Sequence, residues 1–245
     1  GERRERRLAA RRGGCAQRRR AARAEQGERR GAGGARAQLH ASCADEERAH
    51  QALLVGAMCT VLAVTTGCEH ALATWLAPFG VTEGALGEQR MAVMSSIFWG
   101  VMCAGRIGWT FLSAMVSSSW PMLFFDICIS LLGSLLLFWY GSFSAPEGVL
   151  WAGAICVGIG VSSALPCAYT LPPEAQVAMT PWVITLLNTA NTLGETTFPY
   201  LVGVAFDRKL HSALGALLSA AQVISLNLAV LAWMRTQRRK FRASL

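Results

Sequence analysis

Residues 51–81 read QALLVGAMCTVLAVTTGCEHALATWLAPFGV, an almost unbroken apolar run long enough to cross a bilayer. Such a run leaves few choices of structure. Hydrocarbon satisfies no backbone N–H or C=O, so a spanning segment is either a helix or part of a closed barrel. The same run carries Glu69 and His70 in its second half, followed by Trp75 and Pro78. An ionisable side chain at the centre of a spanning helix costs at least ~2.5–3.5 kcal/mol. These groups are therefore expected to face a water-filled cavity or a partner helix.

Five further apolar runs follow, at about 90–116, 120–140, 147–170, 177–206 and 211–234. Four of them contain odd polar groups, and the sixth run reads as plain. Each is long enough for one helical crossing at ~1.5 Å per residue. The alternating ten-residue segments of a membrane barrel are absent. The fold class expected is an all-α membrane protein with six transmembrane helices. The links VTEGALGEQ, SSS before Trp120, GSFSAPEG, LPPEAQ and DRKL are short and carry turn chemistry. Successive helices are therefore antiparallel, and six of them place both termini on one side.

Charge says which side. The chain is 53% hydrophobic and 16% charged, below the ~25% charge of an ordinary soluble domain. Its net +8 is concentrated in residues 1–48, which hold fourteen basic and seven acidic residues. That segment is Arg/Ala/Gly-rich with almost no large apolar side chain, so it reads as a basic, disordered cytoplasmic segment. Lacking aromatic residues and adjoining a span, it suits a membrane surface rather than nucleic acid. The bundle reads as 49–235, and 236–245 as a basic cytoplasmic tail within the run Arg235–Arg242. Positive charge at both ends makes both termini cytoplasmic, with Arg90, Arg208 and Lys209 on the far side. The chain opens at Gly1 without an initiator Met and reads as a piece of a longer protein. The first apolar run is too long for a signal peptide. Six of the eight cysteines (Cys59, Cys68, Cys103, Cys128, Cys156, Cys167) lie in apolar spans without CxxC spacing, and read as small buried hydrophobes. Trp75, Trp120, Tyr140, Trp151, Trp182 and Trp233 lie toward span ends, where aromatic rings anchor at the interface; Trp75 is the exception, being read with the polar stripe of Glu69.

The ionisable residues inside the spans are Glu69, His70, Arg106, Asp126 and Glu195. A bland reading makes them structural ion pairs; a functional reading makes them a solute or ion path. Glu69 has Thr65 and Thr66 one turn back, a polar stripe on one face. Trp75 sits roughly 120° around the helix from Glu69. A polar stripe near an indole suits a sugar, and the same residues also suit helix–helix contact. The fifth run is the most polar. Asn188, Asn191 and Glu195 follow i, i+3, i+7 spacing and share one face. Gly194 and Pro199 loosen the helix there, as a moving gate requires and as packing tolerates. Arg106 follows Gly105 in Gly100-x4-Gly105-Arg106-x-Gly108, where small residues let another helix approach. Asp126, in the next span, is its expected partner by depth. Asp207 beside Arg208 is a similar contact at the opposite end. No Walker lysine, HExxH or GxSxG is present, and the lone His70 reads as a packing residue rather than a metal ligand. Neither a nucleotide-driven pump nor a metalloprotease is supported, and no enzymatic or cofactor chemistry is expected.

With these residues in view, the chain resembles the C-terminal six-helix half of a major facilitator superfamily transporter. In detail it is similar to the fucose-permease-like branch and its sodium-dependent glucose transporter 1-like members. The resemblance rests on Gly67-x-Glu69 with Trp75, on Phe98-Trp99-Gly100-x4-Gly105-Arg106, and on Gly194-Glu195-x2-Phe198-Pro199-x3-Gly203. It covers about residues 50–235. It implies a twelve-helix fold of two pseudo-symmetric halves, with a central site exposed alternately to each side. The N-terminal six-helix half would be a partner lying upstream, and the basic stretch before Gln51 would be the loop joining the halves. The function implied is transport of a small polar solute such as a sugar, driven by sodium, by protons or by the solute's own gradient. Glu69, Trp75, Asn188, Asn191 and Glu195 would line the path. Arg106, Asp126, Gly105, Pro199 and Asp207 would serve gating or structure. A non-transporting membrane receptor or scaffold that retains the fold is the alternative.

Overall fold

The computed structural model describes residues 45–84, 86–116, 118–143, 145–210 and 212–243. The expected disordered segment therefore lies outside the described residues except at its end. Gly1–His50 and Gln51–Leu245 are separate units. In the first, residues 45–50 are helical. The second holds the helical bundle.

Seven helices account for nearly all of the described chain, and no strand occurs among the described residues. They are α1 (Asp45–Gly84), α2 (Glu88–Ser113), α3 (Trp120–Ser142), α4 (Glu147–Gly160), α5 (Ala164–Glu174), α6 (Pro181–Asp207) and α7 (Ala213–Ala243). Their starts are written in the sequence. Pro121 and Pro181 occupy first-turn positions, where a missing N–H costs nothing. Thr180 caps α6 by accepting a hydrogen bond from the Val183 N–H.

Five stretches are long and apolar enough to cross a membrane: α1, α2, α3, α4 with α5, and α7. The protein is thus an all-helical, multi-pass membrane protein in its described part. The fifth expected run, now α6, is 27 residues long but falls outside that group. Its Thr, Asn and Glu residues dilute its hydropathy. The expectation of six apolar spans is met by five, with one long polar helix beside them.

The fourth run is broken. Residues 161–163 form a turn between α4 and α5. Pro166 lacks an N–H, and its ring clashes with the carbonyl four residues back, that of Ser162, so a straight helix cannot pass through. The Ser162 N–H and hydroxyl both turn back to the Ile159 carbonyl, at 3.1 and 2.7 Å. The expected link at Leu171–Gln176 is displaced, because α5 continues to Glu174 with Pro172 and Pro173 inside it. α7 continues to Ala243, so the residues read as the tail are helical as far as that point.

α3 packs against α4, α5 and α7. Contact with α4 is backbone-close at Gly160. A Cβ there would sit 2.4 Å from the Ser130 nitrogen and 2.6 Å from the Asp126 carbonyl. The packed interior divides into two apolar clusters. One holds Leu72, Phe79, Met91, Phe98, Leu137, Leu150, Val202 and Leu214. The other holds Leu54, Met58, Trp120, Leu123, Ile127, Leu171, Leu187 and Ala229. Trp120 and Tyr140 belong to these cores at 2% and 9% exposure, so neither is the interfacial anchor expected of it. Trp182, at 78% exposed, fits that role. The six cysteines in the spans are free thiols, as expected, although Cys103 and Cys128 are exposed rather than buried.

Candidate functional site

Between the two apolar clusters each span changes character at the same stage of its crossing. On α3 the change is Ser130 and Ser134, between Ile127 in one cluster and Leu137 in the other. At the α4–α5 break it is Ser162 and Ser163, between Val161 and Cys167. On α6 it is Asn191 and Glu195, between Leu187 and Phe198, and on α7 it is Gln222 and Ser225, between Ala221 and Ala229. On α1 it is Thr65, Thr66 and Glu69. Arg106 of α2 joins them. The result is a belt of polar side chains crossing the middle of the bundle.

Glu69 is its most buried charge on α1, with a side chain only 7% exposed. Arg106 Nη2 donates to Glu69 Oε1 at 3.4 Å, and the guanidinium is 46% exposed. Arg106 therefore pairs with Glu69, not with Asp126 as depth along the spans suggested. Asp126 finds its donors elsewhere, on one of its two oxygens. The Ser163 N–H and hydroxyl both bond to its Oδ2, the N–H at 3.1 Å. Ser163 is the residue before α5, so this carboxylate caps the broken helix from α3. Gly105 holds the arrangement close, since a Cβ there would lie 2.7 Å from the Ser162 hydroxyl. Gly100 and Gly108 have open space around them and contribute no close approach.

α6 meets α1 at a glycine. A Cβ on Gly194 would come within 2.0 Å of the Ala63 carbonyl oxygen, so the two backbones touch. That contact brings Glu195 within electrostatic range of Glu69. Asn191 donates through Nδ2 to Glu195 Oε1 one turn along the same helix. Asn188 accepts from the Tyr169 hydroxyl at 2.7 Å, tying α6 to α5 rather than joining the Glu195 group. Trp75 spends its indole on α6 as well. Nε1 donates to the Pro199 carbonyl at 2.9 Å, and the ring lies 4.9 Å from that of Phe206. Pro199 leaves its own helix one hydrogen bond short, and the Trp75 contact braces that weak point. Asp207 is exposed at the end of α6 and forms no ion pair among the described residues, unlike the contact expected there. The ion pair at that end of the bundle joins Arg90 of α2 to Glu147 of α4 at 2.9 Å, with the Trp151 indole on the other Glu147 oxygen.

The sequence reading missed three parts of the belt and its surroundings. Gln222 lies in the run that read as plain; it is fully buried and donates to Ser130 at 2.7 Å. Ser163 carries no signal of its own, because the Ser162–Ser163 pair in an apolar run reads as small packing residues; the pair standing just before Pro166 was the available hint. Glu174, placed in a link, accepts from the Ser118 hydroxyl and from the Ser119 N–H and hydroxyl, so it caps the start of α3. Its position beside two prolines and opposite a serine cluster was the available hint.

A cavity of about 290 Å³ opens between α2, α3 and α5, lined by Arg106, Trp109, Thr110, Ser119, Ser162 and Thr170 among others. Arg106 thus stands between the buried Glu69 and open space. Among the described residues no group of His, Cys, Asp and Glu is arranged to hold a metal ion. No family model matches the chain, and no curated protein matches it.

Proposed function

We propose that the helical bundle is one half of a secondary transporter of the major facilitator type. It would move a small polar solute, a sugar in the first instance, by alternating access. In this reading α6 is the sixth crossing, and a second six-helix half supplies the opposite wall of the path. Glu69, Asn191 and Glu195 line the path, with Trp75 bracing α6 beside them. Sodium, protons or the solute gradient drives it.

The observation that carries this reading is the polar belt between two apolar clusters. Solute and ion sites of such transporters lie near the middle of the bilayer, at helices that are interrupted there. Here the belt coincides with the α4–α5 break and with the proline- and glycine-loosened stretch of α6. Asn191 Oδ1, Gln222 Oε1, Ser225 Oγ and Asp126 Oδ1 are buried without a hydrogen-bond partner among the described residues. Buried polar atoms of that kind call for an explanation, and a polar solute or water in the path supplies one. α6 also exposes Thr185, Asn188, Thr189, Thr192 and Thr196. Such a face suits a water-filled path better than lipid.

The test is solute uptake by the full-length protein in proteoliposomes, across a panel of sugars and other small polar solutes, with and without sodium or proton gradients. Glu195→Gln is expected to lower uptake while membrane expression is unchanged. Wild-type uptake that Glu195→Gln leaves intact would remove that residue from the path. Binding of a panel solute with no uptake under any gradient would favour a receptor that has kept the fold.

A further inference from the structure

α7 is longer than a bilayer crossing needs. Its 31 residues give a rod of roughly 46 Å at ~1.5 Å per residue, against a hydrocarbon core of ~30 Å. The excess lies at the C-terminal end, where the helix runs on through Arg235, Arg238, Arg239, Lys240 and Arg242. α7 carries no Asp or Glu along its whole length.

The register of that end is specific. At ~100° per residue, Ile224, Leu228, Leu231, Arg235 and Arg238 fall in one strip about 80° wide. Ile224 and Leu231 are each 54% exposed, Leu228 is half-buried, and Arg235 and Arg238 are exposed. One outward face of α7 is therefore apolar for two turns and then cationic. The axial distance from Ile224 to Arg235 is roughly 16 Å, close to half of the ~30 Å hydrocarbon thickness. That is the depth of one leaflet, with guanidinium groups placed where the phosphates of that leaflet lie.

We propose that this strip is a binding site for an anionic phospholipid of the leaflet at the C-terminal end of α7. The acyl chains lie along Ile224, Leu228 and Leu231, and Arg235 and Arg238 hold the phosphate. Guanidinium is suited to this because its fixed fork of donors matches phosphate oxygens in pairs. Cations at a helix C-terminus are also favoured by the helix dipole, but the dipole does not account for the exposed apolar strip in register with them. The proposal does not depend on transport.

The experiment reconstitutes the full-length protein in nanodiscs of equal parts phosphatidylcholine and phosphatidylglycerol. It then counts, by native mass spectrometry, the lipids that stay bound after mild release into detergent. The wild type is expected to retain the anionic lipid in several-fold excess. The double variant R235Q/R238Q is expected to lose that excess, by roughly five-fold for each guanidinium removed. Arg235→Lys with Arg238→Lys, which keeps the charge, is expected to retain part of it. The control R208Q/K209Q, with the same loss of charge at exposed positions at the other end of the bundle, is expected to behave as wild type. Equal retention by wild type and R235Q/R238Q overturns the proposal. So does displacement of the bound lipid by free glycerol phosphate, because the site would then read the phosphate without the acyl chains.

Discussion

Breaking the ion pair between Glu69 and Arg106 should destabilise the bundle by an amount that a double-mutant cycle can measure. Glu69 is 7% exposed, and its single guanidinium partner stands 3.4 Å away. At an effective dielectric of 20, two unit charges at that distance attract by about 5 kcal/mol. Desolvation of the carboxylate takes back most of this, and the 46% exposure of Arg106 screens more. The net coupling expected is about 1–2 kcal/mol. Removing Arg106 alone strands a buried carboxylate, which costs 3–5 kcal/mol for a fully buried pair. For this half-exposed partner about 2 kcal/mol is the working figure. The assay is a double-mutant cycle on thermal unfolding of the detergent-purified full-length protein. Arg106→Gln should lower the midpoint by up to about 4 °C, taking no more than ~2 °C per kcal/mol for a chain longer than this segment. Adding Glu69→Gln should recover part of the loss, because no charge is then left unpaired. A second cycle between Arg106→Gln and Asp126→Asn should come close to additive, since Asp126 bonds to Ser163 instead. Additivity in the first cycle together with strong coupling in the second would refute the assignment and restore the Arg106–Asp126 pair that depth suggested. Arg208→Ala, at an exposed position, should shift the midpoint within error.

Four other outcomes rest on packing, capping and one hydrogen bond. Gly194→Ala should destabilise the bundle by about 1–3 kcal/mol, because the added carbon meets the Ala63 backbone and not a movable side chain. Gly100→Ala, with open space around it, should be neutral or slightly stabilising on the same unfolding scan. Glu174→Gln should cost about 1 kcal/mol by weakening the cap on α3, read as earlier proteolysis at the link around Ser118. Trp75→Phe should keep the ring contact with Phe206 and lose the bond to the Pro199 carbonyl, at about 1 kcal/mol. If Trp75 stacks on solute instead, the same change would lower solute affinity and leave the unfolding midpoint where it was.

Much of the architecture was legible because hydrocarbon allows so few structures. Apolar length alone placed α1, α2, α3 and α7 to within a few residues at their apolar ends. Apolar length misses backbone events inside a span. The α4–α5 break depends on Pro166 acting against Ser162, and on Asp126 reaching across from α3 to cap the exposed end. The proline is written in its own segment, but the carboxylate that receives the broken end lies on another helix and means nothing there until the two helices pack. Partner choice was illegible for the same reason. Counting residues along two antiparallel spans puts Arg106 and Asp126 at similar depth, but depth leaves the azimuth of each helix open. The donors at Ser163 and the buried carboxylate at Glu69 decided the outcome.

The polar helix carries a different lesson. α6 fails as a membrane span by hydropathy, because the residues that make it interesting lower its mean. Asn188, Asn191 and Glu195 share a helical face in sequence, yet they do not act as one group. Asn191 bonds to Glu195, whereas Asn188 turns to Tyr169 on α5. The i, i+3, i+7 spacing spreads three residues over about two turns, or roughly 10 Å of rise, more than one small solute covers. A shared face therefore predicts a shared environment, and only the level of each residue along the helix says which of them meet. At the level of Glu195 the neighbours are Glu69 and, through it, Arg106. Two carboxylates and one half-exposed guanidinium in that space leave an unbalanced negative charge when both acids are ionised. A proton, a sodium ion or a solute's own positive group would each balance it. Glu195→Gln and Glu69→Gln should therefore change the ion dependence of uptake in the same direction if the two acids act together. Opposite effects would separate them into a path residue and a structural one.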